Sequence, residues 1–385
     1  MKIVITVEQL DPNKGYLEYY LAKELTKLGH KVYVFTFGWS KTALRIMLKE
    51  GFEVISLSHV AVANNYHMPT PSGVACVVKF VKAEKPDIVH CQPLFSPLSL
   101  LFVGLRRLVN YKIVGSIVTQ RFSIDRPTKK AAYYLVKMIT EQYVKSRSEL
   151  IFAKSNELVK ILSRLFDIRR HKFCVIPLGA DPELFKFDAE ARKKVRDLLG
   201  LYTNDVVIVY SGKITPPKEL DVLIKALAPI IKQDRKVKLL IVGRGKSSYV
   251  EYLRRLISGF KISKNVIFNP WVHRTQLSAF YNASDIAVWP GSSSISIVEA
   301  ASVGLPLIIQ HSPIEIYATE YGNGFTFKRG EINYLRKYLE TLVYDDKLRK
   351  EMGRRSRLLV EQKLNWEVIT HQYLNAYRSA ICSQT

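Results

Sequence analysis

The sequence predicts an α/β protein made of two doubly wound, Rossmann-like domains. In the first half of the chain, short apolar runs rich in β-branched residues alternate with segments of helical spacing, and this alternation starts again in the second half. Strands separated by helices of this length form parallel sheets. A chain of 385 residues is also long for one hydrophobic core, which favours two domains.

The pattern predicts most of the elements directly. The first-half strands are KIVITV, KVYVFTF, FEVISLS, PDIVHCQ, YKIVGSIVT, LIFAKS and CVIPLG, and the helices are GYLEYYLAKELTKLGH and a segment near residues 95–107. The second-half strands are VVIVYSG, KLLIVGRG, NVIFNPWV, DIAVWP and LPLIIQ, with the helices ELDVLIKALAPIIKQ and SYVEYLRRLIS between them. Residues 181–204 show a helix and a polar turn but no strand, so the domains are predicted as 1–182 and 183–365, followed by an amphipathic terminal helix over 366–385.

Charge is high and unevenly distributed. The net charge of +24 favours anionic partners such as nucleic acid, acidic lipid headgroups or phosphorylated small molecules. Residues 121–172 contain 13 Lys or Arg against 5 Asp or Glu, a net of +8 in 52 residues. This segment is either a solvated basic face or a docking surface for an anionic membrane or a lipid-linked acceptor. The residues of that surface would be Lys129, Lys130, Tyr133, Tyr134 and Lys137.

Cysteine usage and hydropathy favour a cytoplasmic protein, soluble or peripheral at the inner face of the membrane. The cysteines show no CxxC spacing and suit a reducing compartment; they are Cys76, Cys91, Cys174 and Cys382. The longest apolar stretch, residues 93–105, has 13 residues, whereas a membrane span needs about 20. The N-terminal MKIVITVEQL does not have the pattern of a secretory signal.

Polar residues directly after the second-half strands are candidate ligand contacts, because ligands bind at the carboxyl ends of parallel strands. In YSGKITPPKEL, Lys213 and Lys218 flank a stiff Pro216–Pro217 turn and could bracket a diphosphate as two point charges. Exposed loop lysines are also common, so both interpretations stay open.

The stretch PGSSSISIVEAA predicts a helix that begins near Ser294–Ser296. Its free backbone N–H groups and positive dipole end would face an anion. Glu299, one turn into the helix, could accept hydrogen bonds from two ribose hydroxyls. Alternatively, Ser296 and Glu299 match the spacing of a capping box, in which the glutamate folds back on the serine amide.

Several segments, taken in order and spacing over nearly the whole chain, resemble the retaining glycosyltransferases of family 4, which have the GT-B fold. These segments are GYLEYYLAKELTKLGHKV, KPDIVH, VIPLGADPELF, SGKITPPKELDVLIKAL, IVGRG, YNASDIAVWPGSSSISIVEAASVGLPLI and the helix after Trp366. The resemblance implies two Rossmann-like domains facing across a cleft. The first would bind the acceptor and the second a nucleotide-sugar donor, with the terminal helix packing back on the first domain.

The resemblance also implies roles for individual residues. Lys213 and Lys218 would hold the donor diphosphate and stabilise its departing charge, and Glu299 would hold the ribose. The amides of Ser294 and Ile295 would grip phosphate and sugar. The glycine loop after the first strand would place Gly15 near the transferred sugar.

This chain departs from the family pattern at two positions. The first acid of the family's paired-glutamate motif falls on Gly291, so the contact from that acid to the donor sugar is missing. A histidine that often ends a first-domain strand is replaced by Gln120, which can hydrogen-bond a sugar but does not titrate near neutral pH. We therefore assign Gln120 to the catalytic set together with Lys213 and Lys218. The sequence contains no DxD triplet, so we expect neither a catalytic metal nor a cofactor.

Three alternatives remain open at this stage. A catalytically silent glycosyltransferase-like subunit is compatible with Gly291 and Gln120. A nucleic-acid-binding or nucleic-acid-modifying protein would fit the charge, although no helix-turn-helix, zinc-finger or RNA-binding signature occurs. An inverting enzyme would need a general base, for which His90 is the candidate, although a lone histidine at a strand end is more often structural.

Overall fold

The computed structural model divides the chain into two compact units. Unit 1 consists of Met1–Pro177 and Ile369–Thr385, and unit 2 of Leu178–Val368, whereas the sequence placed these boundaries at residues 182 and 365. The structure describes residues 1–11, 16–39, 44–63, 66–117, 148–292 and 295–382.

Unit 1 is built around a mostly parallel sheet. Its strands are β1 (Lys2–Val7), β2 (Lys31–Phe37), β3 (Leu44–Met47), β4 (Glu53–Leu57), β5 (His59–Ala63), β6 (Tyr66–Pro69), β7 (Ile88–Gln92), β8 (Lys112–Ser116), β9 (Leu150–Ala153) and β10 (Phe173–Val175). Helices α1 (Leu17–Lys27), α2 (Pro71–Glu84), α3 (Pro97–Leu105) and α4 (Asn156–Leu165) connect them. The strand order is β10-β9-β8-β7-β1-β2-β4-β3, in which β3 alone is antiparallel to its neighbour, and β5 and β6 form a separate hairpin.

Side-chain caps fix where three of these helices begin. Thr70, Ser96 and Ser155 each accept a hydrogen bond from a backbone N–H of the first turn, at Gly73, Ser99 and Leu158 respectively. Helices α2 and α3 also carry proline near the first position, where its missing N–H costs no hydrogen bond.

Unit 2 contains a fully parallel sheet with the order β13-β12-β11-β14-β15-β16. Its strands are β11 (Val206–Ser211), β12 (Val237–Val242), β13 (Val266–Asn269), β14 (Ile286–Trp289), β15 (Leu307–Gln310) and β16 (Gly324–Phe327). The remaining helices are α5 (Ala189–Leu198), α6 (Leu220–Gln233), α7 (Ser247–Gly259), α8 (Arg274–Asn282), α9 (Ser296–Val303), α10 (Ile332–Tyr344), α11 (Asp346–Leu359) and α12 (Trp366–Cys382). Strands β11, β12 and β14 are almost entirely buried, as expected for a sheet covered on both faces.

Each sheet has one point at which the strand order reverses. In unit 1 the chain leaves β1 towards β2 and returns to the other side of β1 as β7; in unit 2 it leaves β11 towards β12 and β13 and returns as β14. The connections after the two neighbouring strands then run in opposite directions and leave a crevice at their carboxyl ends. Polar residues at the ends of β11 and β14, and of β1 and β7, are therefore placed to bind ligands.

The α/β fold class predicted from the sequence is confirmed, and β1 and β2 have the predicted bounds. The predicted strand LIFAKS ends earlier, at Ala153, because Ser155 caps α4 and begins the helix. The predictions did not include β3, the β5–β6 hairpin or β16. These elements are only four or five residues long, and β3 lies exposed at the sheet edge, so none carries a long buried apolar run.

The terminal helix α12 packs on unit 1 through aromatic residues. From Ile369 onwards it belongs to that unit, and Tyr373 and Tyr377 contact Phe152 and His90, with ring centroids 4.7 Å apart for Phe152–Tyr373. Within the described ranges, every helix falls short of the length and apolar character that crossing a membrane requires.

Candidate nucleotide-sugar site in unit 2

The ends of β11 and β14 are held together by buried side chains at the reversal point. Trp289 Nε1 donates a hydrogen bond to the carbonyl oxygen of Ser211 over 3.0 Å. The hydroxyl of Tyr281 lies 2.6 Å from Ser211 Oγ and 3.3 Å from the carbonyl oxygen of Ser296. These contacts fix the positions from which the two site loops leave the sheet.

The loop after β11 carries both predicted lysines. Lys213 is exposed, and its carbonyl oxygen accepts a hydrogen bond from the Tyr210 hydroxyl over 2.8 Å. Pro216–Lys218 form one turn of 3-10 helix, and Glu219 then adopts a left-handed conformation with φ of 52°. The prolines limit the backbone freedom of this turn, so Lys218 is presented from a rigid support.

Lys218 is partly buried and reaches across to the loop after β14. Its amine donates to the carbonyl oxygen of Ser292, and the Ser292 amide donates back to the carbonyl oxygen of Pro217 over 3.0 Å. Burial lowers the pKa of Lys218 and the charge of Lys213 acts in the same direction, whereas Glu315 opposes the shift. A bound diphosphate would compete with the Ser292 carbonyl for this amine.

Gly291 lies where the two loops touch. A Cβ atom built at Gly291 would lie 2.4 Å from the Pro217 carbonyl oxygen and 2.7 Å from the Lys218 carbonyl carbon. Backbone atoms at this distance cannot rotate away, so a side chain requires the loops to separate. In this chain the absence of the first motif acid is thus tied to close loop packing.

Helix α9 begins at Ser296, with Ile295 as its N-cap residue, and all eight of its residues are buried. Ile295 therefore lies at the helix N-terminus as predicted, where its carbonyl oxygen accepts from the amides of Val298 and Glu299. The alternative capping box between Ser296 and Glu299 is wrong. Ser296 is already the first helical residue, and the Glu299 carboxylate points to another partner.

That partner is Arg274, the first residue of α8. Arg274 Nε lies 2.6 Å from Glu299 Oε1, and the side chains are only 8% and 3% exposed. The guanidinium also lies over the Phe185 ring, 5.0 Å from its centroid. Burial raises the pKa of Glu299, and the charge and hydrogen bond of Arg274 oppose that shift. The ion pair therefore compensates the charge of Glu299 and fixes the position of its carboxylate.

Sequence reasoning missed Arg274, because it stands 25 positions before Glu299 and no local spacing relates the two. The one available signal was Glu299 itself, a carboxylate in the otherwise apolar helix segment IVEAA with no basic residue nearby in the sequence. Buried charges are nearly always paired, so a distant basic partner could have been expected.

The remaining candidates lie outside the described residues. They are Gly15, Gln120, Lys129, Lys130, Tyr133, Tyr134, Lys137 and Ser294.

His90 does not have the properties of a general base. It is 1% exposed, and its Nδ1 lies 2.8 Å from the Tyr377 hydroxyl. Burial lowers its pKa to about 3, and the charge of Lys154 acts in the same direction. A neutral, enclosed imidazole cannot take a proton from an acceptor near neutral pH. Among the described residues, no group of three His, Cys, Asp or Glu side chains is arranged to hold a metal ion.

Two family models match successive parts of the chain. The model described as "Glycosyltransferase Family 4" matches residues 18–184, and "Glycosyl transferases group 1" matches residues 191–359. Together the two models span most of the chain. The chain belongs to the family 4 glycosyltransferases. This confirms the family to which the sequence was compared, while retention of configuration stays a prediction.

Curated relatives of this glycosyltransferase are distant in sequence. The alpha-monoglucosyldiacylglycerol synthase of Streptococcus pneumoniae is 25% identical over 305 residues, 76% of this chain and 66% of that enzyme. The D-inositol 3-phosphate glycosyltransferase of Corynebacterium glutamicum is 24% identical over 382 residues, 94% of this chain and 90% of the relative. For the first four relatives the match spans less than two thirds of their own length, from 48% to 66%.

A solved structure of Alr3699/HepE from Anabaena in complex with UDP superposes with a TM-score of 0.78 at 20% identity, over 98% of this chain and 100% of that chain. At this identity the similarity establishes the GT-B fold of two Rossmann-like domains.

Gly291→Ala tests the loop contact. The added methyl group must push the Pro217 carbonyl away, so we expect a loss of about 1–3 kcal/mol in the free energy of unfolding, which is typical of overpacking. Urea unfolding measures it. Gly259→Ala is the matched control, because a Cβ there meets nothing within 4 Å. A Gly291→Ala protein as stable as the Gly259→Ala control would contradict the observed packing.

A second prediction separates the two roles of Glu299. If Glu299 holds the ribose, wild-type protein binds UDP more tightly than 2′,3′-dideoxy-UDP, by about tenfold for a hydrogen bond to a charged group. Glu299→Gln then abolishes this preference, as measured by calorimetric titration.

The comparison between two ligands on the same variant removes any general loss of stability from the broken ion pair. Arg274→Lys, which keeps a cation beside Glu299, serves as the control and keeps the preference. A Glu299→Gln protein that still prefers UDP by the wild-type factor would exclude the ribose role.

Proposed function

We propose that this protein transfers a sugar from a nucleotide-sugar donor to an acceptor hydroxyl, with retention of configuration. The observation that carries the proposal is the arrangement at the reversal point of unit 2, where a lysine-bearing turn and the N-terminus of a buried helix flank one crevice. Both features favour a diphosphate, the turn by point charges and the helix by backbone N–H groups.

The residues of unit 2 would position the donor and stabilise the leaving group. Lys213 and Lys218 neutralise the diphosphate, and the first-turn amides of α9, beginning at Ile295, add hydrogen bonds that strengthen as negative charge develops. Glu299, held by Arg274, orients the ribose. The fixed loops keep these groups in place before the substrate arrives.

Retention follows from a same-face displacement. The bond from the anomeric carbon to the diphosphate oxygen breaks, the acceptor oxygen bonds on the same face, and the departing diphosphate takes the acceptor proton. No side-chain base is needed, and this agrees with the enclosure of His90. The reaction as written requires neither a metal nor a cofactor from this chain.

The donor we propose is a uridine diphosphate sugar. The structural neighbour from Anabaena was solved with UDP and also with UDP-glucose, and the related Streptococcus enzyme is named as a synthase of alpha-monoglucosyldiacylglycerol. Gly291 removes one acid from the sugar side of the site, so the sugar must be recognised by backbone groups and by other residues.

We propose further that the acceptor is a lipid or a lipid-linked glycan, reached from the cytoplasmic face of an anionic membrane. The net charge of +24, the basic and aromatic residues of the segment 121–172, and the name of the Streptococcus relative support this choice. Nucleic acid is a weaker candidate, because the chain belongs to a glycosyltransferase family.

Lys218→Ala tests the diphosphate contact. We expect affinity for UDP to fall about tenfold and affinity for uridine to stay unchanged, since a charge-assisted hydrogen bond contributes about 1.5–3 kcal/mol. Calorimetric titration with both ligands measures this. Lys236→Ala, an exposed lysine directly before β12 at the amino edge of the sheet, removes the same charge and is the control. Wild-type protein that fails to bind UDP would refute the proposed function with a uridine diphosphate sugar as donor, and equal losses for UDP and uridine would refute the role of Lys218.

Vesicle binding tests the membrane proposal. Protein should sediment with vesicles of three parts phosphatidylcholine to one part phosphatidylglycerol, and binding should fade with added salt, because exposed charges are screened beyond about 8 Å at physiological ionic strength. Replacing Lys129, Lys130 and Lys137 with glutamate should abolish binding and leave UDP affinity unchanged.

The control for that variant replaces Lys193, Lys194 and Lys264, three exposed lysines of unit 2, with glutamate. Both variants change the net charge equally, so only a localised membrane surface makes them differ. Equal loss in both would indicate non-specific attraction, and no sedimentation of wild type at low salt would refute membrane docking.

A further inference from the structure

A cavity of about 440 Å³ lies in unit 2, away from the candidate nucleotide-sugar site. Helix α9 follows β14 and precedes its parallel neighbour β15, so the helix runs from the carboxyl edge of the sheet to the amino edge. The cavity adjoins the last residue of α9, Val303, and is therefore roughly 12 Å from the first turn of that helix. Its volume falls in the range of about 300–1,000 Å³ that is typical of small-molecule pockets.

Close backbone packing shapes the walls of this cavity. Gly304 ends α9 in a left-handed conformation with φ of 94°, and a Cβ built at Gly353 of α11 would lie 2.2 Å from the Gly304 carbonyl oxygen. Arg357 Nη1 connects the neighbouring segments, because it donates to the carbonyl oxygens of Phe185 and Ser302 over 2.9 and 2.8 Å. The walls are therefore fixed by the fold itself and do not depend on a ligand.

The charged side chains that line the cavity are all basic. They are Lys186, Arg354 and Arg357. Arg357 is committed to the fold, since its Nε also pairs with Glu361 over 2.6 Å. Lys186 pairs with Glu183 over 3.3 Å, but these side chains are 59% and 82% exposed, and an ion pair so open to water contributes little. Lys186 can therefore exchange this partner for an anion bound beside it.

Arg354 differs from the other arginines of α11. Each of those pairs with a carboxylate one turn away, as Arg349 with Asp346, Arg355 with Glu351, and Arg357 with Glu361. Arg354 is exposed, and in the part of the chain that the structure describes no carboxylate lies within 4.0 Å of its guanidinium. Lys350 and Arg357, one turn away on either side, are like charges that disfavour it. An anion in the cavity would compensate this charge.

The rest of the side-chain lining is apolar and consists of Phe187, Val303 and Leu358. Phe187 is 62% exposed, although the backbone beside it is fixed by the Asp188 amide, which donates to Asn282 Oδ1 over 2.7 Å. Covering this ring with an apolar group would remove apolar surface from water. A metal cation would be repelled by the basic groups, and an inorganic anion would leave the apolar wall uncovered. The lining therefore favours a ligand that is both apolar and anionic.

We propose that this cavity binds a small amphiphilic anion, in which an apolar chain carries one phosphate or carboxylate group. Arg354 and Lys186 bind the anionic group, and the planar guanidinium of Arg354 donates two parallel hydrogen bonds to it. The apolar chain lies against Phe187 and Leu358. The inference is independent of the proposed function, because none of these residues belongs to the candidate nucleotide-sugar site.

Calorimetric titration of octyl phosphate into the full chain, at concentrations too low for micelles, tests the site. We expect one site that binds octyl phosphate more tightly than inorganic phosphate. Arg354→Ala should weaken binding of octyl phosphate about tenfold, because it removes charge-assisted hydrogen bonds. Phe187→Ala should weaken it about fivefold and leave the affinity for inorganic phosphate unchanged, since only the apolar chain contacts the ring.

Arg355→Ala is the matched control. It removes the same charge from the next residue of α11, but the Arg355 side chain pairs with Glu351 and does not line the cavity. Its affinity for octyl phosphate should stay at the wild-type value. Because Arg354 and Phe187 are both exposed, their variants should keep the melting temperature of the wild type, which thermal unfolding measures.

Vesicles of three parts phosphatidylcholine to one part phosphatidylglycerol identify the source of the ligand. If Arg354→Ala sediments with them less than Arg355→Ala does, the ligand is a membrane lipid; if the two sediment equally while their affinities for octyl phosphate differ, it is a soluble molecule. Saturating UDP should leave the affinity for octyl phosphate unchanged, because the nucleotide-sugar site lies at the other end of α9. The proposal is overturned if UDP displaces octyl phosphate, if wild type binds it no better than inorganic phosphate, or if Arg355→Ala weakens binding as much as Arg354→Ala.

Discussion

The reversal of strand order in each sheet is the constraint on which the chemistry of this chain depends. Parallel neighbours cannot be joined by a tight turn, so each connection crosses the face of the sheet and begins from the same carboxyl edge. Two neighbouring connections run in opposite directions only where the chain returns to the other side of an earlier strand. This happens between β11 and β14 and between β1 and β7. The lysine turn and the buried helix α9 stand at the first of these two places.

Close backbone contact then decides how the unit 2 crevice is shaped. The glycine at position 291 lets the loop after β14 approach the Pro217–Lys218 backbone, and two reciprocal hydrogen bonds hold the contact. One consequence is that Lys218 is already partly desolvated and directed before any ligand arrives. Another is that a side chain at this position, such as the acid expected from the family pattern, has no room unless the loops separate.

Much of this could be predicted from sequence, because doubly wound sheets bury their strands on both faces. Strands such as KIVITV and KVYVFTF are buried on both faces, so they stand out in the sequence as nearly continuous apolar runs. Their predicted bounds match the structure. Short, half-exposed elements such as β3 do not give this signal. The position of Glu299 on a helix at a strand end was also predictable from its neighbours.

Partners distant in sequence were not predictable. Arg274 meets Glu299 only because α8 packs against α9. No local spacing encodes this relation. The same limit explains why Ser296 and Glu299 suggested a capping box. Their spacing matches that motif, but the Glu299 carboxylate pairs with the distant Arg274 instead.

The buried pair of Glu299 and Arg274 joins the packing of unit 2 to its candidate site. Glu299 touches the guanidinium at 2.6 Å, so its charge is compensated in the protein alone, and loss of either partner would leave an uncompensated charge at a cost of about 3–5 kcal/mol. The same contact fixes the carboxylate in the first turn of α9, at the strand end where the order of the sheet reverses. Fold stability and the orientation of this carboxylate therefore depend on one ion pair.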